Sequence, residues 1–156
     1  MDRDGNKTDI YESGKAVNEE LRSFEKVYRQ FNSNWLGVCP VYGTNNTSED
    51  EFYFNKSMDA LANPLELKHL SGLKGFESDE DVIIGYMKDG SGNAGFMVVN
   101  YNDSSWNKKV NAKMNFGDYT QAQVYRKGKK SVVDLKNGIL MLELEVGEGA
   151  FVIPCS

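Results

Sequence analysis

From Val82 to Ile153 the chain is a succession of short runs in which apolar and polar residues alternate, broken by turns that carry Gly and Asn. A period of two sends successive side chains to opposite faces of a strand. The stretch therefore specifies antiparallel sheet. VIIGYMKD, the turn GSGN at 90–93 and AGFMVVNY form a hairpin. After the loop NDSSWN, Val110, Ala112, Met114 and Phe116 alternate with Asn111, Lys113 and Asn115, the pattern of a half-buried strand. Ala122 to Tyr125 and Ser131 to Leu135 flank the basic turn RKGKK. Asn137-Gly138 is the strongest hairpin signal, because both central residues of a type I′ turn need positive φ. Ile139 to Leu144 and Gly149 to Ile153 complete the set. Regular strands of this spacing predict a β-sandwich.

Ahead of the strands, Val17, Leu21, Phe24, Tyr28 and Phe31 recur at intervals of three and four, and Lys15, Glu19, Glu20, Arg22, Lys26 and Arg29 lie between them. That spacing predicts a helix from Asp9 to about Asn32 with one apolar face, begun by Asp9 and Glu12 in a capping-box-like arrangement. Leu36 to Tyr42 reads as a first strand, Pro40 marking an edge or bulge. Residues 43–63 are polar, acidic and turn-rich around Phe52, Tyr53 and Phe54, and are expected to form a long loop. Leu65 to Leu73 is expected to be a further strand, since Leu65, Leu67, His69 and Leu73 share one parity, although Leu70 breaks it. The expected fold is mainly β: an antiparallel β-sandwich preceded by one N-terminal α-helix.

A chain of 156 residues with 40% hydrophobic and 26% charged residues is long enough for one self-sufficient core. No apolar run approaches the roughly 20 residues needed to cross a bilayer, so no membrane partner is expected. The formal charge of -5 argues against nucleic acid. Whether Cys39 and Cys155 pair is left open, because a bridge depends on a distance that sequence does not supply. The start, MDRDGNKTDIYE, lacks the apolar stretch of a signal peptide. Either the protein stays in the cytoplasm or Met1 is not its natural start. Asn6, Asn45, Asn46, Asn55 and Asn102 satisfy the N-x-S/T rule, which matters only in a glycosylating pathway.

Candidate chemistry is sparse. Asp2, Asp4, Asn6 and Thr8, followed by Glu12, approximate the oxygen spacing of a calcium loop, yet Lys7 stands where the sharp-turn Gly belongs and Ser13 where the bidentate Glu belongs. No metal site is expected there. Asp79, Glu80 and Asp81 are expected to stay in water and to discourage pairing at a sheet edge. Glu143, Glu145 and Glu148 read as outward strand positions, with nothing to show the convergence of two carboxylates that glycoside hydrolysis needs. His69 stands alone, and GSGN lacks the helix N-terminus of a phosphate cradle. No catalytic residue and no cofactor are assigned. Trp35, at the junction of helix and first strand, is expected to pack between them. Trp106, in the polar loop NDSSWN, is with Tyr101 and Tyr119 the candidate carbohydrate-binding set, since sugar rings stack their apolar faces on flat aromatic side chains.

Three segments carry a resemblance. DRDGNKTDIYESGKAVNEEL holds a DGN turn, a Tyr and then a helix with Asn18, Glu20 and Leu21; VIIGYMKDGSGNAGFMVVNYND is a hairpin ending in an "mvvN" strand; VYRKGKKSVVDLKNGILMLELEVGEGAFVI has a Gly-Glu-Gly turn before its last strand. Together they resemble the C-terminal portion of TIM-barrel glycoside hydrolases of the β-galactosidase-like kind. The resemblance implies that residues 1–34 are a turn and helix from the end of a catalytic barrel and that residues 35–156 are a β-sandwich accessory domain. The partner it implies is the barrel of the same polypeptide, which would hold the acid and the nucleophile. The implied function is a noncatalytic domain that packs on and stabilises that barrel. The alternative is a carbohydrate-binding module that uses exposed aromatics.

Overall fold

The computed structural model describes residues 9–32, 35–45 and 61–156; the Phe52, Tyr53 and Phe54 cluster and the segment from Asp2 to Thr8 lie outside the described residues. A helix, α1 (Asp9–Asn32), precedes β1 (Trp35–Val41), β2 (Gly75–Ser78), β3 (Val82–Lys88), β4 (Ala94–Asn100), β5 (Val110–Asn115), β6 (Gln121–Arg126), β7 (Lys129–Asp134), β8 (Ile139–Leu144) and β9 (Gly149–Cys155). The strands form a six-stranded sheet in the order β1-β3-β4-β9-β6-β7 and a three-stranded sheet in the order β2-β5-β8. Every described pairing is antiparallel. The architecture is the helix-then-sandwich that the strand spacing predicts.

Alternation builds the main core between the sheets. β5 buries Val110, Ala112 and Met114 and exposes Asn111 and Lys113, and β8 buries Leu140, Leu142 and Leu144. They meet Val82, Ile84 and Tyr86 of β3, Phe96 and Val98 of β4, and Ala150 and Val152 of β9. The Asn137-Gly138 turn has both residues at positive φ, +55° and +73°, as a type I′ hairpin requires. A Cβ on Gly138 would lie 2.0 Å from the Gly117 carbonyl oxygen, so only glycine fits. Lys127-Gly128 repeats the geometry with φ of 48° and 71°, between the paired residues Arg126 and Lys129.

One strand expectation is overturned, and the question of the cysteines is answered. Leu65 to Leu73 is not a strand: it contains a 3-10 turn at Leu67–His69, and the strand lies later, at Gly75–Ser78. Leu67, Leu70 and Leu73 recur every three residues, the period of a 3-10 turn rather than of a strand. Leu70, the residue that breaks strand parity, is 1% exposed in the core. The cysteines are free. Cys39 is on β1 and Cys155 on β9, with β3 and β4 between them. Three strand spacings are about 14 Å, twice the reach of a disulfide.

A second core lies on the outer face of the six-stranded sheet. Phe24 and Phe31 of α1 pack with Met87, Tyr125, Phe151 and Ile153, and Val27, Tyr28 and Met97 border them. Phe151 sits among Phe24, Tyr28 and Phe31 with ring centroids 6.5, 5.7 and 5.3 Å away. Gly95 makes room for this cluster, since a Cβ there would stand 2.8 Å from both Phe31 and Phe151.

Candidate functional site

The helix lies across the outer face of the six-stranded sheet. Its 24 residues span about 36 Å, and they cross the sheet from the β6–β7 turn near Glu20 to Gly95 of β4 under Phe31. The C-terminal half is seated: Phe24 is 8% exposed and Phe31 2%. Glu20 passes over the β6–β7 turn, where a Cβ on Gly128 would be 4.0 Å from its Cα. Toward the N-terminus the same stripe is no longer sealed against the sheet. Val17 and Leu21, in step with Phe24, Tyr28 and Phe31, are 56% and 53% exposed, and Tyr11 is exposed as well. Between Val17 and Leu21 on one side and Met97, Gly147 and Gly149 on the other is an open cleft of about 230 Å³. Trp35 is not mortar between helix and strand: it is 48% exposed and lies over Gly85 on the outer sheet face, where a Cβ would stand 2.7 Å from its ring.

The three candidate aromatics do not form one platform. Tyr101 and Trp106 follow β4, at the end of the sandwich where Val99 pairs with Gly149. Tyr119 precedes β6, at the end where Gln121 pairs with Cys155. The length of β9 separates the ends, about 20 Å. Trp106 is half-buried in a 3-10 turn, with Lys108 Nζ 5.3 Å from its ring centroid. Tyr119 is half-buried against the main core and borders a different cleft.

Two of the three acids at 79–81 do not stay in water. Asp81 is 2% exposed and Glu80 8%. Asp81 Oδ1 accepts from the Gly43 backbone N–H at 2.8 Å. Glu80 accepts from Asn45 Nδ2 at 3.1 Å and from Lys108 Nζ at 3.3 Å, and both oxygens of Asp79 accept from Asn111 at 2.7 Å. These carboxylates fasten residues 43–45 and the β4–β5 connection to the sandwich. Gly43 has no room for a side chain, since a Cβ would be 2.3 Å from the Glu80 backbone. Asn100 completes the corner: its Nδ2 donates to the carbonyls of Lys108 and Glu145, and its Oδ1 accepts from the backbone and side chain of Asn102. Asn102 is 8% exposed and its Nδ2 also donates to the Asp81 carbonyl, which takes this sequon out of reach of modification.

Glu148 also departs from the outward position expected of it. Its side chain is 7% exposed and holds Arg126 through paired bonds of 2.8 Å, while Oε2 accepts from the Glu145 N–H. His69 is exposed, its Nδ1 accepting from the Glu66 N–H at 3.2 Å. Among the described residues no three His, Cys, Asp or Glu side chains are grouped to hold a metal ion, and no helix is long and apolar enough to cross a membrane. Compared with protein-family models, curated proteins and solved structures, the chain matches none.

Proposed function

We propose that this chain is a noncatalytic accessory β-domain that packs on a larger body, which on the resemblance of its sequence is the catalytic barrel of a glycoside hydrolase. One observation carries the reading: the apolar stripe of α1 continues from the buried Phe24 to the exposed Leu21 and Val17, which border an open cleft at the Gly147–Gly149 end of the sheet. Fully burying a Val or Leu side chain is worth about 1.5–3 kcal/mol, and about half of that remains to be gained at each of these positions. A domain that supplied this cover would turn the exposed turns of the helix into an interdomain contact. The carboxylates at 79–81 and Glu148 support the same reading, because each is engaged in holding loops and turns in place.

The test is chemical accessibility at Leu21. In a Leu21→Cys chain with Cys155 replaced by Ser, a thiol reagent should label residue 21 rapidly in the isolated domain. In the native polypeptide that carries this chain the same residue should be protected. Equal labelling in both contexts would refute the docking face, and hydrolysis of an aryl galactoside or glucoside by the isolated chain would refute the noncatalytic role.

A further inference from the structure

At the end of the sandwich opposite Val17 and Leu21 there is a cleft of about 500 Å³, a volume ordinary for small-ligand sites. The C-terminal half of α1, the β3–β4 turn, the β5–β6 loop, β6 and β9 all contribute to it, so its walls are held by well-packed elements. The floor is apolar, made by Phe31, Tyr125 and Ile153, all buried in the second core. The rim is polar: Gln30, Asn93 and Gln123 supply amides, Tyr119 a phenol, Asp89 and Lys130 one charged side chain of each sign, and Ser156 borders it as well.

These rim groups are oriented. Asp89 Oδ1 accepts from the backbone N–H groups of Ser91 and Asn93 at 2.9 and 2.8 Å, and Oδ2 accepts from Asn93 Nδ2 at 2.7 Å. The Asn93 amide is thereby fixed, and its Oδ1 has no hydrogen-bond partner among the described residues. Tyr125 donates to Gln123 Oε1 at 3.0 Å, so Gln123 Nε2 is the free donor of that side chain among the described residues. Lys130 Nζ lies 5.6 Å from the Tyr125 ring centroid. A fixed acceptor and a fixed donor therefore face one space beside a half-exposed tyrosine ring.

The geometry points to a binding site for a neutral oligosaccharide in this cleft, with Tyr119 as the stacking surface and Asn93, Gln123 and Gln30 as the hydroxyl-reading groups. A sugar hydroxyl both donates and accepts, and an amide offers one of each. An anion would find a carboxylate at the rim, and an apolar ligand would leave three amides unpaired at a cost of about 1–3 kcal/mol for each one buried. The site is independent of the docking face, since Val17 and Leu21 lie at the other end of the helix and a partner seated there leaves this cleft open.

The experiment is amide NMR of the isolated chain titrated with lactose, cellobiose and maltose to about ten millimolar, an affinity scale of a few kcal/mol. Saturable shifts confined to residues around Asn93, Tyr119 and Gln123 are expected with at least one sugar. Gln30→Ala and Tyr119→Ala should each weaken that binding about tenfold, the value of roughly one hydrogen bond or stacking contact. Gln30 is exposed, so its variant folds even if Tyr119→Ala does not. Trp106→Ala should leave binding unchanged. No saturable response to any of the three sugars, or binding lost in Trp106→Ala and retained in Gln30→Ala, would overturn the assignment.

Discussion

Truncating Phe24 and Leu21 to alanine should cost very different amounts, although the two residues are neighbours on one helical stripe. Phe24 is 8% exposed and its ring meets those of Tyr28, Phe151 and Tyr125 at 5.9, 6.5 and 6.4 Å. A buried Phe→Ala change costs about 3–5 kcal/mol, and the lower end applies here, because a surface helix can settle part-way into the space left behind. Leu21 is 53% exposed, so its truncation forfeits only the buried part of a side chain, about 1 kcal/mol or less. Urea unfolding followed by circular dichroism, with the slope checked for constancy between variants, measures both. A Phe24→Ala cost below about 1 kcal/mol would mean that the helix is not docked on the sheet in solution. Equal costs at the two positions would refute the division of the stripe into seated and exposed parts.

Three further outcomes are expected. Asn100→Ala should cost about 2–4 kcal/mol in the same assay, because it strands the Lys108 and Glu145 carbonyls and the Asn102 amide in a buried corner; an effect under about 0.5 kcal/mol would contradict that network. Gly43→Ala should abolish soluble folded protein or lower the unfolding midpoint sharply, since its Cβ would collide with the Glu80 backbone; wild-type stability would show that residues 43–45 are not fixed there. Burial, reinforced by the Glu66 carboxylate, pushes the Cys39 thiol up to about 11 from 9.0. The folded chain then keeps a proton that the unfolded chain releases, so this contribution is complete below about pH 9 and is lost as pH rises toward 11. Urea midpoints should fall over that window in the wild type and fall less in Cys39→Ala.

Where a pattern is local, the sequence foretold the structure. The β3–β4 hairpin, the alternation of β5 and β8, the Asn137-Gly138 turn and the stripe of α1 all express a period of two, a period of 3.6 or the φ demand of one turn. β2 was hidden because four residues, GFES, are too few to show a period. The leucines at 67, 70 and 73 imitated a strand while following a spacing of three. Glu80, Asp81 and Glu148 looked like wet charges, because charge is local and the partners that allow burial, Gly43, Lys108 and Arg126, come from distant segments. The grouping of Tyr119 with Gln123 and Asn93 was illegible for a related reason. It follows from β9 lying between β4 and β6, a choice of strand order that no local pattern encodes.

The central claim, that the chain serves as an accessory domain of a larger polypeptide, is tested most directly by size. Antibody raised against this chain should detect, in extracts of the source cells, a band several times heavier than 17.5 kDa. A band at 17.5 kDa and none above it would contradict the account, since no larger polypeptide would then carry this domain.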